Sequence, residues 1–514
     1  MFSTITTGAI FGMESYLVQV ETDVSPGLPA LSMVGSLAAE VREAGERVRV
    51  ALRNNHIALP PQRITINLSP ADRRKEGTAF DLPIAIGILT ALGQIKGEAV
   101  ESILMLGELG LDGECKAVRG VLPIVKKAAE SGFTHVMLPQ KNAGEAAVIE
   151  QITVIGIKSL KQALTILQNE AIDEFAVADG VLEINSKSSE TDHFFPDFAE
   201  ISGQEALKRG AMIAAAGFHH FLMIGPPGSG KTMVARRIPG ILPPLSPAES
   251  LEVSMIYSIS GLLNENQALI RQRPFLNPHH TVSEYALSGG GKIPRPGLIS
   301  LAHRGVLFLD ELTEFKKSAL EILRQPLEEK RIQIARSSGN FCFPADFMMV
   351  AALNPCPCGY FPDYEQCKCT SYEVHRYLNK ISGPILDRID ICMEASKVDV
   401  FKIHHKQKNI SSQELKAQVL QARKLQEERY HDMKWRFNGE LTQAGIQRYC
   451  PLGSREEKLM EQIYQHMKLS LRAYHRIIKV ARTIADLAKE EHIREEHLTE
   501  AASYRGIDRK YWLA

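Results

Sequence analysis

Short apolar runs separated by Gly-Pro punctuation dominate the first third of the chain. Ser15–Glu21, Arg63–Leu68, Leu104–Leu106 and Val136–Leu138 read as strands, and Ala38–Asn54, Asp81–Leu92 and Leu122–Ser131 as helices. Residues 1–168 therefore read as one α/β unit. The polar stretch 169–196, which contains EINSKSSETDH, has no useful apolar period and reads as a linker. From Phe198 the pattern changes. A helix over Gly203–Ala216 leads into a strand over His219–Ile224, a Gly-rich turn and another helix. Apolar strands follow at Gly305–Leu309 and Phe347–Leu353, the first after a Gly- and Pro-rich insert (Arg271–Gly297). Strands alternating with helices over 197–394 predict a mainly parallel sheet. Residues 395–514 are charged and helical, with helical periodicity over Ser412–Arg429 and Glu456–Ala488. No internal repeat is visible.

The strongest chemical signal lies in the Gly-rich turn. Gly225-Pro226-Pro227-Gly228-Ser229-Gly230-Lys231-Thr232 fits G-x-x-x-x-G-K-[ST], between an apolar strand and a helix. Glycines let backbone N–H groups turn inward around phosphates, and the following helix presents its positive end. Lys231 is then the residue for the β/γ oxygens and Thr232 a Mg²⁺ ligand. Some 80 residues on, Gly305-Val-Leu-Phe-Leu-Asp310-Glu311 is a buried strand ending in two acids. Asp310 is placed for the Mg²⁺ shell and Glu311 for the attacking water. Three further positions suit a hydrolysis site: Asn354 at the end of MMVAALN, Arg388 in SGPILDRID as a candidate arginine finger, and Arg472 in LSLRAYHR. Taken alone, Asn354 reads better as a strand-terminal turn residue. Arg388 reads equally as a partner of Asp387 or Asp390, and Arg472 as a solvated helix-face arginine.

Composition adds limits. At 514 residues and roughly 150 per domain, three or four domains are expected. A hydrophobic share of 44% excludes a wholly disordered or collagen-like chain. Sixty basic residues balance sixty acidic ones, which excludes a polycation, so any nucleic-acid surface must be local. The start MFSTITTGAIFGMESYLVQVE lacks signal-peptide order, and no apolar stretch reaches the ~20 residues of a membrane helix. A soluble cytoplasmic protein is expected.

Four of the eight cysteines cluster as Cys356-Pro-Cys358 and Cys367-Lys-Cys369. Four thiolates suit a closed, structural Zn²⁺ site, and a reducing cytosol disfavours disulfides. Such an ion would contribute on the order of 10 kcal/mol to ordering the loop. His279-His280 are adjacent, hence poor joint ligands; DNA-facing or loop-packing roles suit them better. Arg42, Arg47, Arg49, Arg53, Arg63, Arg73, Arg74 and Lys75 are opposed across 41–75 only by Glu43, Glu46 and Asp72. That run is a solvated helix face or a phosphate-facing surface.

Together GPPGSGKT, VLFLDE, AALNP, SGPILDRID and LSLRAYHRIIKVARTIADLA resemble the magnesium-chelatase-like AAA+ ATPases. GLPALSMVG, ITINLSPADRRKEGTAFDLPIAIG, LGELGLDGECKAVRGVLP, NPHHT, GGGKIPRPGLISLAHRGVLFLDE and NPCPCGY extend the likeness over the whole chain to the YifB/ComM family. The resemblance implies a P-loop AAA+ core over 197–394 and a C-terminal helical lid over 395–514. It further implies a homo-hexameric, ATP-driven DNA helicase promoting branch migration during natural transformation. Asn354 would be sensor 1, Arg388 the finger for the neighbouring subunit and Arg472 the sensor 2 arginine. Residues 261–297 would be the helix-2 insert and Glu329–Asp346 the hairpin before sensor 1, both lining a pore. Arg271, Arg273, Lys292 and Arg295 of the insert, with Lys330, Arg331 and Arg336 of the hairpin, would then meet DNA, mainly at backbone phosphates. A chelatase-like remodeller of a protein partner and an ATP-dependent Lon-like protease are the alternatives.

Residues 1–168 also resemble Lon-type proteolytic domains (ribosomal S5 domain 2-like), whose nucleophile is Ser and whose base is Lys. Glu76-Gly77-Thr78-Ala79 puts Ala79 at the Ser position, and Arg119-Gly120-Val121-Leu122 puts Leu122 at the Lys position. Neither side chain does that chemistry, so the resemblance implies a domain without its catalytic dyad.

Overall fold

The computed structural model describes residues 1–169, 172–176, 195–263, 268–291, 294–337, 339–396 and 409–512. Most of the expected linker, 169–196, lies outside them.

The first unit is built on a seven-stranded mixed sheet. Its order is Ala30–Val34, Arg63–Ser69, Glu14–Ser25, Phe2–Phe11, Ile103–Met105, His135–Pro139 and Thr153–Ile157. Glu14–Ser25 alternates between buried and half-buried residues along its length, the signature of a strand with one covered face. It pairs antiparallel with Phe2–Phe11, while the strands from Ile103 onward pair parallel. The helix Asp81–Ala91 is buried almost all round and crosses the two long strands. The sequence pattern missed Phe2–Phe11. Its run of Thr and Gly residues, TITTGAI, carries little hydrophobicity, and pairing with its neighbour holds it. The expected helix Ala38–Asn54 is two, Ala39–Arg42 and Ala44–Asn54, with Glu43 between them.

The second sheet is wholly parallel, in the order Phe275–Leu276, Val306–Leu309, Met348–Leu353, Phe221–Ile224 and Ile391–Glu394. The three central strands are buried at every residue, as expected where helices cover both faces. Phe275–Leu276 divides the stretch expected to be a single insert. Arg271 and Arg273 precede this edge strand. A two-residue ladder, Gly289–Gly290 with Arg295–Pro296, follows it. The hairpin Arg331–Arg336 with Gly339–Pro344 stands between the Asp310 strand and the Asn354 strand.

The C-terminal helices are Ser412–Arg429, Gln443–Tyr449, Ser454–Met467, Leu471–Leu487, Glu495–Ser503 and Gly506–Trp512. The continuous period over Glu456–Ala488 is broken in the structure. Lys468 takes a left-handed conformation (φ +48°), and Ser470 caps the next helix. A buried polar network ties these helices to the sheet: His219 Nε2 meets Thr483 Oγ1 at 2.7 Å, and Arg429 Nη1 meets Asp486 Oδ2 at 2.9 Å.

The two sheet units touch through Pro247–Ser260, whose Leu251 and Met255 pack into the apolar cluster of the first unit. Ser258 hydrogen-bonds Glu145, and its carbonyl accepts from the Gly120 N–H at 3.0 Å. Phe11 also packs on Phe341 of the hairpin, ring centres 4.5 Å apart. Among the described residues no helix is long and apolar enough to cross a membrane.

Candidate active site

The Gly-rich loop lies at the C-terminal end of Phe221–Ile224, the side of an open parallel sheet where ligands bind. Gly228 (φ +74°) and Gly230 (φ +84°) adopt left-handed conformations. Space around each is open, so backbone conformation is what calls for glycine there. The helix Lys231–Ile241 starts at once, with its first N–H groups toward the loop.

Lys231 is only 7% exposed. Its ammonium donates to the carbonyls of Gly225 (2.7 Å) and Pro226 (2.9 Å), Ser229 Oγ (3.3 Å) and Asn354 Oδ1 (3.3 Å). All four are neutral oxygens, and burial pushes its pKa down to about 8. A buried cation without an anionic hydrogen-bond partner is what a phosphate would complete. Thr232 Oγ1 donates to Asp310 Oδ2 at 2.8 Å, and Asp310 Oδ1 accepts from the Glu311 N–H at 3.0 Å. One hydroxyl and one carboxylate side by side are hard oxygen donors of the kind Mg²⁺ takes, so these residues fit that ion.

Glu311 is left-handed (φ +52°), an uncommon state for a residue with a side chain. It is more than half exposed, and His280 Nδ1 stands 3.4 Å from its carboxylate. His280 thus packs beside the acid at the end of the strand, a loop-packing position. Sheet register carries the missing signal: Leu276 pairs with Leu307, which sets the NPHHT turn beside the turn at Glu311. Gln204 was also not anticipated. Its amide donates to the carbonyls of Ser229 (2.9 Å) and Ser396 (2.5 Å), bracing the loop from behind.

Arg388 and Arg472 meet at the other end of the sheet. The Asp390 N–H bonds the His220 carbonyl just before the paired strands Ile391–Glu394 and Phe221–Ile224 begin, whereas Gly225 follows their far end. Four residues of strand separate the two, about 13 Å. Arg388 pairs with Glu328 and donates to the Pro384 carbonyl at 2.6 Å, and its Nε is buried without a partner. The same carboxylate takes Arg472 Nη2 at 3.2 Å. Of the two local partners considered for Arg388, Asp387 and Asp390, the latter is occupied by Arg476 (2.6 Å) and the His220 N–H (3.0 Å). Its carboxyl is held well below its usual pKa range, against its own burial, chiefly by the charge of Arg476. Neither Arg388 nor Arg472 shares a hydrogen bond or ion pair with a phosphate-loop residue among the described residues.

The basic residues expected at a pore divide. Arg271, Arg295, Arg331 and Arg336 are exposed, Arg331 beside Glu329 at 3.2 Å. Arg273 is not available to DNA. It is 5% exposed and spends its donors on Glu249 and the carbonyls of Pro243, Pro244 and Arg304. Lys330, in the turn before the hairpin, is also exposed but is paired with Asp346 (3.2 Å) and Glu440 (3.0 Å). Lys292 lies outside the described residues. In the first unit, Arg47 is bound to buried Asp81 and Lys75 is fully buried on backbone carbonyls, so the exposed members of that run are Arg42, Arg49, Arg53, Arg63, Arg73 and Arg74.

Leu122 is buried in an apolar cluster, and Ala79 packs against that same cluster. Cys356, Cys358, Cys367 and Cys369 come together, all four Sγ atoms within 4.8 Å of one another, a group that could hold a metal ion.

Three family models match the chain: "Magnesium chelatase, subunit ChlI" over residues 197–403, "Subunit ChlI of Mg-chelatase" over 20–142, and "Magnesium chelatase, subunit ChlI C-terminal" over 409–505. The competence protein ComM of Haemophilus influenzae is 39% identical over 506 residues, 98% of this chain and 97% of that one. The uncharacterized protein YifB of Escherichia coli is 40% identical over 516 residues, 99% and 97%. The magnesium-chelatase 38 kDa subunit of Rhodobacter capsulatus is 27% identical over 191 residues, 34% and 54%. With a phosphate loop on a parallel AAA+-like sheet and near-full-length likeness to these proteins, the chain belongs to the YifB/ComM family of magnesium-chelatase-like AAA+ proteins.

Proposed function

We propose that the chain is the subunit of a homo-hexameric, ATP-hydrolysing DNA translocase of the cytoplasm. Its task would be branch migration while incoming DNA is recombined. The observation that carries this reading is the separation of two incomplete half-sites on one sheet. Lys231, Thr232, Asp310, Glu311 and Asn354 stand at one end, and Arg388 and Arg472 at the other. A phosphoryl-transfer site needs both sets, and a ring supplies them from neighbouring subunits.

In this reading Lys231 and the loop N–H groups bind and neutralise the phosphates of ATP. Thr232 and Asp310 hold Mg²⁺, which supplies charge neutralisation. Glu311 takes the proton from the attacking water, with His280 orienting its carboxylate until the site fills. Asn354 positions that water, and Arg388 and Arg472 of the next subunit stabilise the charge that develops. Residues 1–168 serve as a Lon-like domain for assembly or DNA guidance, and 395–514 as a lid. Proteolysis has no support, since Ala79 and Leu122 are parts of an apolar cluster. Zn²⁺ on the four cysteines is a structural ion. Exposed Arg271, Arg295, Arg331 and Arg336 meet backbone phosphates from the pore.

The test is ATP turnover with and without forked, four-way, duplex and single-stranded DNA, paired with a four-way-junction migration assay. Stimulation by branched DNA with ATP-dependent migration is expected. Turnover indifferent to every DNA would overturn the reading in favour of a remodeller of a protein partner.

A further inference from the structure

We propose that zinc on Cys356, Cys358, Cys367 and Cys369 sets the shape of the phosphate loop, so that metal loading governs nucleotide affinity. The proposal rests on reading Gly225–Thr232 as the nucleotide site.

The sulfur spacing suits a tetrahedral site, with Cys369 within 4.8 Å of the other three. Cys356 Sγ lies 3.3 Å from Cys358 Sγ and 3.7 Å from Cys367 Sγ, and the latter two are 3.5 Å apart. Four sulfurs at about 2.3 Å from one zinc would be roughly 3.8 Å apart, close to these spacings. Among the described residues no other His, Asp or Glu joins the cluster, so the donor set is all sulfur and closed. Cys356 and Cys367 are buried and the other two half-buried. Such a site has no open position for catalysis, and its work is to hold a loop.

Short-range bonds, several of them to Asp363, and packing of Cys356, Cys367 and Phe361 on the core hold the rest of the loop. Within it, the Gly359 N–H bonds the Cys356 carbonyl (3.0 Å), the Phe361 N–H bonds Cys356 Sγ (3.4 Å) and the Cys367 N–H bonds the Asp363 carbonyl (2.7 Å). Phe361 reaches outward to Tyr511 of the last helix, ring centres 6.0 Å apart. Four thiols packed this closely cannot all satisfy one another, because S–H is a weak donor and thiolates repel. Bound metal removes that conflict.

Two contacts pass from this loop to the phosphate loop. Gly359 (φ +87°) lies so close that an added Cβ would fall 2.6 Å from Pro227 Cδ, which makes its backbone the wall behind Pro227. Asn354, two residues before Cys356, holds the Lys231 ammonium at 3.3 Å. A loop that opened at the cysteines would release both. Zinc thus acts as a remote brace, never touching the nucleotide.

The experiment uses the full chain. Zinc is counted by elemental analysis and by a chromogenic chelator after thiol modification, and nucleotide affinity is read by fluorescent-ATP titration. One zinc per chain is expected, and stripping it with a chelator should weaken ATP binding tenfold or more, reversibly on adding Zn²⁺. Cys358→Ser and Cys369→Ser should reproduce the loss with an unchanged far-ultraviolet circular dichroism spectrum. Gly359→Ala should keep zinc yet weaken binding, which isolates the contact from the metal. Lys231→Ala should keep zinc and lose nucleotide. Wild-type chain that carries zinc but binds no ATP would mean that the nucleotide reading has failed. Wild-type chain without zinc, or zinc-free chain with unaltered ATP affinity, would mean that the brace has failed.

Discussion

The two ends of the parallel sheet are prepared in opposite ways. At the phosphate-loop end the side chains already touch: Lys231 on Asn354, Thr232 on Asp310. At the other end Arg388 and Arg472 share one carboxylate, Glu328, that belongs to neither. The first end is organised by backbone geometry, through strand termini, left-handed glycines and a helix start. The second is organised around that one carboxylate, with Arg388 buried and also held by the Pro384 carbonyl, and Arg472 exposed. Preorganised dipoles suit an end that holds a ligand, whereas an exposed cation such as Arg472 can change partners.

The largest effects fall on the preorganised end. Lys231→Ala should abolish nucleotide binding in a fluorescent-ATP titration. Glu311→Gln should leave binding intact and cut turnover by about 10²- to 10⁴-fold, the usual contribution of a general base. Full turnover by Glu311→Gln would remove Glu311 from its role.

At the arginine end, Arg388→Ala should lower turnover by about 10³-fold while ATP binding by the free chain is unchanged. The sharper measurement mixes the two defective proteins. A Lys231→Ala subunit still carries Arg388, and an Arg388→Ala subunit still carries Lys231, so mixed rings contain some complete interfaces. Turnover that rises on mixing supports division of the site between subunits. No recovery from mixed rings would sink it.

How much of this was legible beforehand depends on the range of the interaction. The phosphate loop, the strands around it and the acids at Asp310 and Glu311 are local patterns, and contiguous sequence carries them. His280 is different: its meeting with Glu311 depends on the edge strand Phe275–Leu276 pairing beside Val306–Leu309, a strand of two residues that no periodicity reveals. Glu328 comes to Arg388 from 60 residues away and to Arg472 from 144. Arg273 misled for a related reason. A basic residue in a polar, Pro-rich stretch reads as surface, yet Glu249 and three carbonyls make its burial tolerable.

That last pair of cases gives a contrast in stability against DNA affinity. Arg273→Ala leaves Glu249, a buried carboxylate, with Arg436 (3.0 Å) as its remaining ion-pair partner. Breaking such a buried pair costs about 3–5 kcal/mol, so urea denaturation should show a marked loss. Arg331→Ala and Arg336→Ala, on the exposed hairpin, should leave the denaturation midpoint alone. Each should instead reduce the slope of log affinity against log salt for DNA by about one.

The smallest effect is the most informative about the arginine end. Glu328 is 52% exposed and sits on Arg324–Glu329, the helix that runs into the hairpin. Its pair with Arg472, exposed on both sides, is worth about 0–1 kcal/mol, so Glu328 biases Arg472 without locking it, while buried Arg388 is held more firmly. Glu328→Gln keeps the shape and removes the charge. If the carboxylate competes with a neighbour's phosphates for these arginines, turnover without DNA should rise by up to roughly fivefold, the factor that 1 kcal/mol allows. The DNA-stimulated rate should stay where it was. A fall in both rates would instead make Glu328 a positioning residue that turnover requires, and the arginine end would then be as rigidly built as the phosphate loop.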